Sequence, residues 1–100
     1  MGEIIVGEYL VEWDDEKAEI NLKKHKISFE TAARVFLDEN RIDDFYEFHS
    51  DEEDRIRVIG KVNEILFVVY TERGEKYRLI SARKAKKSER DDYYGQYQSL

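Results

Sequence analysis

The sequence predicts a small α+β domain: an antiparallel sheet of about four strands with two N-terminal helices and one C-terminal helix. Three observations predict it. Apolar residues recur at helical spacing through residues 15–37, and from Arg41 the period changes to extended. Residues 65–85, ILFVVYTERGEKYRLISARKA, read as two strands around a tight turn. One hundred residues with 41% apolar content and no repeat or linker suit one domain, residues 1–100.

Glu3 to Trp13 has β character through Ile4, Ile5, Val6, Tyr9, Leu10, Val11 and Trp13. It is expected to add a strand or lie along the sheet edge, with residues 1–8 as an extension or edge strand and the first few as a loose terminus. Asp14 or Asp15 is a natural N-cap for a first helix, about Asp15 to Lys26, with Glu16 in its first turn. Its apolar stripe is Ala18, Leu22 and His25, with Asn21 beside it. Ser28 caps a second helix, Phe29 to about Leu37, whose core stripe is Phe29, Ala32, Ala33 and Phe36, widened by Val35 and Leu37. Asp38-Glu39-Asn40 ends it.

Ile42, Phe45, Tyr46 and Phe48 mark the first sheet strand, and His49 to Asp54 is a polar, acidic loop. Arg55 to Lys61 is the next strand, with Ile56, Val58 and Gly60 on one face and Arg55, Arg57 and Ile59 on the other. Val62-Asn63-Glu64 is short enough for a hairpin connection. Ile65 to Thr71 reads as a sheet-centre strand, and Gly74 supplies the positive φ that the next turn needs. Tyr77 to Ala82 alternates, with Tyr77, Leu79 and Ser81 on one face and Arg78, Ile80 and Ala82 on the other. The last helix, Lys86 to about Tyr97, has Tyr93, Tyr97 and Leu100 on one stripe, beside Arg90 and Tyr94. Three helices cannot shield both faces of such a sheet, so one face stays partly open, and the strand arginines belong there.

There is no cysteine, hence no disulfide, thiolate metal site or cysteine nucleophile. No apolar run approaches a membrane span and no signal pattern opens the chain, so a soluble intracellular protein, away from the membrane, is expected. The net charge is -6, but it is unevenly placed: residues 1–54 carry 17 acids and 6 bases, residues 55–100 carry 6 acids and 11 bases. The second half can hold a phosphate-binding face while the first keeps the chain soluble, although ordinary solvated faces would give the same balance.

Three stretches, WDDEKAEINLKKHKISFETAARVF, EEDRIRVIG and VVYTERGEKYRLISARKA, in this order and spacing from about Glu12 to Arg90, resemble the BrnT family of type II toxin–antitoxin toxins. Such proteins are similar in fold to RelE-type ribonucleases. The resemblance implies a cytoplasmic endoribonuclease that cleaves RNA and inhibits translation. It also implies restraint by a cognate BrnA-like antitoxin, through which alone the pair would reach operator DNA. Two departures stand out: Lys86 occupies the position where the family often has Ser or Thr before the last helix, and Ile4 to Leu10 extend the usual N-terminus.

Metal-free RNA cleavage uses the ribose 2′-OH against the adjacent phosphorus; it needs a base, an acid and cations for the charge on the phosphoryl oxygens. His25 is the natural proton-transfer group, and Lys24 is a cation or acid. Adjacent helix positions diverge by about 100°, so the two are expected to meet at one phosphate only if the helix frays. Arg55, Arg78 and Arg83 are the candidate phosphate clamps, Tyr70 offers a hydroxyl or a stacking surface, and Glu53 could orient an arginine or act as base. The plainer alternatives are a half-buried His25 bonded to a carbonyl, and Arg55 and Arg57 paired with acids across strands. Tyr93, Tyr94 and Tyr97 are first of all packing residues and only secondarily a surface to stack RNA, and Lys84, Lys86, Lys87 and Arg90 read as a solvated helix start or, alternatively, a backbone contact for nucleic acid. His25 and His49 are too loosely spaced from acids for a metal site, so neither metal nor cofactor is assigned. A non-catalytic, protein-binding module of toxin-like fold is the competing function.

Overall fold

Among the described residues six strands, not four, form one sheet, in the order β1-β2-β6-β5-β4-β3. The computed structural model describes residues 1–46 and 54–96. The elements are β1 (Gly2–Val6), β2 (Tyr9–Trp13), α1 (Asp15–His25), α2 (Phe29–Ala33), a 3-10 turn (Arg34–Leu37), β3 (Ile42–Tyr46), β4 (Arg55–Val62), β5 (Glu64–Arg73), β6 (Lys76–Lys84) and α3 (Lys87–Gly95). The four expected strands are β3 to β6, all antiparallel neighbours. The N-terminal segment adds a hairpin, turned at Gly7 with φ 59°, whose second strand runs parallel to β6. The sheet is therefore mixed, not wholly antiparallel, because Val6, Val11 and Trp13 have a core to join. Among the described residues no helix is long and apolar enough to cross a membrane.

One face carries the main core. Val58, Leu66, Val68, Tyr70, Leu79 and Ala82 of the strands meet Phe29, Ala32, Ala33, Val35 and Phe36. A smaller cluster on the other face, Ile59, Ile65, Phe67 and Val69, is capped by Ala85 and Tyr93. As read from the sequence, Ile56, Val58 and Gly60 turn to the helices. Gly60 is obligatory there, since a Cβ would collide with the Val35 side chain.

Asp14 caps α1, accepting from Lys17 N at 3.1 Å, and Lys26 ends it in the left-handed conformation. The expected apolar stripe is displaced: Leu22 is exposed, and Asn21 is the buried residue of α1. The reason lies in the sheet. β2 stops pairing at Trp13↔Leu79, which leaves the β6 backbone open further along. Asn21 fills in for the missing strand: its Nδ2 donates to Ala82 O and its Oδ1 accepts from Ala82 N, both at 3.0 Å. The same Nδ2 donates to Ile27 O at 3.0 Å, fixing the α1–α2 corner.

Ser28 caps α2, accepting from Thr31 N. After Ala33 the helix tightens to 3-10, which turns Leu37 out to solvent instead of widening the core stripe. Asp38, just beyond, accepts from Asn40 N, Lys61 N and Tyr93 Oη, at 2.9, 2.8 and 2.6 Å, and so ties the turn to β4 and α3. Burial pushes the Asp38 carboxyl up, but these donors, with Arg41, hold it below its ordinary value. At α3 the missing hydroxyl cap is replaced by Glu89, which accepts from Lys86 N at 2.7 Å. Phe48, His49, Tyr97 and Leu100 lie outside the described residues.

Replacing Asn21 by alanine leaves both backbone groups of Ala82 without a partner. The expected loss is about 3 kcal/mol of unfolding free energy in urea titration; a loss under about 1 kcal/mol would show that the edge is satisfied some other way.

Candidate active site

Strict alternation along β6 would send Arg78 and Arg83 to opposite faces, since they are five residues apart. The strand does not alternate strictly. Val69 pairs with Ser81 and Tyr70 with Leu79, so Ile80 is an extra residue, a β-bulge. Beyond it Ala82 joins Leu79 in the main core, contrary to the alternation expected from the sequence. Arg83 therefore turns to the other face, where its guanidinium lies 4.1 Å over the Phe67 ring. Arg78, between core residues Tyr77 and Leu79, points to that face as well. So do Arg55 and Arg57, which alternate with Ile56 and Val58.

The four arginines thus share the open face, but they do not meet at one point. Arg78 and Arg83 stand roughly 15 Å apart along the strand, a spacing for different phosphates, not a common one. Arg57 is paired with Asp44 at 3.2 Å, as the cross-strand reading expected. Arg78 sends Nε and Nη2 to Glu12 Oε2 at 2.8 and 2.7 Å, and this contact keeps the buried Glu12 carboxyl well below the usual range. Arg83 forks onto Glu89, with Nη1 to Oε1 at 2.8 Å and Nη2 to Oε2 at 2.9 Å.

At the edge of this face, where α1 crosses β6, a hollow of about 260 Å³ is lined by Lys17, Ile20, Asn21, Lys24, His25, Ile80 and Ser81. Lys24 and His25 both reach it without fraying, because α1 stays helical through His25. Burial, then the neighbouring charges of Lys24 and Arg83, push the His25 imidazole below its ordinary 6.5, so it is neutral at pH 7. Among the described residues, neither Lys17 nor Lys24 has a carboxylate partner. The hollow therefore combines a neutral imidazole, two available ammonium groups and a hydroxyl.

The remaining candidates lie elsewhere. Tyr70 is buried on the opposite face, against Phe36 and Tyr77, and its hydroxyl donates to Asp43 at 2.8 Å. Burial, then Asp43, raises its pKa far above that of a free phenol, and the sheet separates it from the arginines. Glu53 lies outside the described residues. Lys17, Ser81, Glu12 and Glu89 escaped the sequence reading. The i, i+3, i+4, i+7 row Lys17-Ile20-Asn21-Lys24 was the available signal for the first of them.

Residues 13–89 match the model of the family described as "Ribonuclease toxin, BrnT, of type II toxin-antitoxin system". The chain belongs to the BrnT family. Its fold is similar to the crystal structure of the Brucella abortus ribonuclease toxin BrnT, with 26% identity and a TM-score of 0.59 over 77% of this chain and 96% of that one. No curated protein matches the chain. The BrnT match begins at Trp13, so β1 and most of β2 lie before it, whereas α1 and β6 lie within it.

His25 binds a proton less readily in the folded chain than in the unfolded one, so stability rises with pH through the window just below 6.5. In a comparison of wild type with His25→Gln, the wild type is expected to lose more stability on going from pH 7 to pH 5.5. Identical slopes for the two would remove the basis for a neutral, partly buried imidazole.

Proposed function

We propose that this chain is a metal-independent endoribonuclease toxin of the cytoplasm, which cleaves RNA, inhibits translation and is neutralised by a cognate DNA-binding antitoxin. The observation that carries the reading is the hollow at the α1–β6 crossing, with its neutral imidazole beside unpaired ammonium groups. His25 takes the proton from a ribose 2′-OH as that oxygen attacks phosphorus. The bond to the 5′ oxygen breaks, and that oxygen collects a proton from the Lys24 ammonium or from water. The products are a 2′,3′-cyclic phosphate and a 5′-hydroxyl. Lys17 and Lys24 stabilise charge on the phosphoryl oxygens, while Arg83 and Arg78 hold phosphates further along the strand.

One observation favours the non-catalytic alternative. Arg78 and Arg83 each already hold a carboxylate, as structural ion pairs do. The two readings separate on the free groups of the hollow. If it is catalytic, His25→Ala lowers RNA cleavage by about 10²-fold or more without lowering the melting temperature, and cleavage persists with a chelator present. Cleavage unchanged in both His25→Ala and Lys24→Ala would end the site assignment. Absence of toxicity on expression without a partner, with tight binding to a small protein encoded beside it, would favour the binding module.

A further inference from the structure

β1 is one of the two edges of the sheet, and the two edges differ in how they are guarded. β3, the opposite edge, is as long as β1 but carries adjacent Asp43 and Asp44, held by Arg41 and Arg57, and so is the more heavily charged of the two. β1, GEIIV, carries one charge, and that charge, Glu3, is engaged by Lys76 of the same chain at 3.2 Å. It has no proline and no bulge. Apolar side chains flank it on the open face of the sheet: Ile5 is 72% exposed and Met1 69%. Leu37, which packs beside Gly7 at the hairpin turn, is 54% exposed.

The register says which backbone groups are free. A two-residue turn closes on Val6↔Tyr9, which therefore exchanges both hydrogen bonds with its partner. Alternation makes Ile4↔Val11 and Gly2↔Trp13 bonded pairs too, so the N–H and C=O groups of Glu3 and Ile5 point away from β2. An antiparallel copy of β1 centred on Ile4 meets these groups in full. Glu3 then stands opposite Ile5 of the second copy, and the reverse, giving four hydrogen bonds, with no acid opposite an acid. Ile4 faces its own copy in a close, non-hydrogen-bonded pair, the arrangement in which two β-branched side chains pack best.

We propose that β1 pairs in this way with β1 of a second copy of the chain, joining two sheets across a two-fold axis at Ile4. The pairing is isologous and closes on itself, whereas joining β1 to the acidic β3 edge would propagate without end. The proposal goes beyond the ribonuclease reading and does not depend on it, because β1 precedes the family match and lies at the far side of β2 from the arginines.

Sedimentation velocity of the isolated chain, from about 1 to 500 µM, is expected to show a concentration-dependent dimer. Ile5→Pro removes an outward N–H and no bond of the β1–β2 ladder, so the monomer folds while association weakens at least tenfold. The chain has no cysteine, so Ile4→Cys introduces a single thiol whose Cα meets its copy at about 4.5 Å, within disulfide range. Mild oxidation is expected to cross-link Ile4→Cys faster than Ile5→Cys. A monomer throughout the series, an Ile5→Pro chain that associates like wild type, or equal cross-linking of the two cysteine variants would each overturn the proposal. So would association that requires an added partner protein. If Ile5→Pro does not fold, the cysteine pair decides alone.

Discussion

One extra residue in β6 sets what this molecule can present. Ile80 bulges out of the ladder, and every side chain after it changes face. Ala82 moves into the core, and Arg83 moves out to join Arg78. The bulge also lies where β2 stops pairing, so the strand has a free backbone edge just beyond it. Asn21 closes that edge from α1, and in doing so it fixes the helix at the height that brings Lys24 and His25 beside Ile80 and Ser81. The irregular step in the strand and the polar residue buried in the helix are two halves of one arrangement.

Electrostatics on the open face follows from the same layout. A sheet surface with four arginines would repel itself if nothing intervened. Glu12, Asp44 and Glu89 each hold one guanidinium, and the acids come from three different elements. Fixing a guanidinium plane lowers the entropy lost when a ligand arrives, and it also means the ligand must share or displace a carboxylate. Among the described residues no carboxylate holds the ammonium groups of Lys17 and Lys24 in this way. Charge in the hollow is thus available, whereas charge on the sheet is already committed.

Much of this was legible beforehand, and the failures have physical causes. Capping residues Asp14 and Ser28 and the hairpin at Gly74 act locally, and each stands where its chemistry suggests. The face assignment of β4 held because that strand alternates without interruption. β6 did not, since a bulge needs the neighbouring strand to define it and leaves no mark in composition. Leu22 and Asn21 exchange their expected environments because α1 docks on an exposed backbone edge, which rewards an amide over a methyl group. Tyr70 looked available among apolar neighbours; its partner Asp43 lies on a strand that pairs with β4, which no local pattern reveals. The parallel contact between β2 and β6 joins residues too distant in sequence for any window to connect.

That contact has a kinetic consequence. Glu12 and Arg78 are 66 positions apart, and both strands of the pair are needed to finish the middle of the sheet. Closing so long a loop comes late in any route to the native state. During synthesis the N-terminal hairpin must wait, unpaired on one side, until most of the chain has left the ribosome. A half-made copy lacks β6 and with it the platform on which the open face is built.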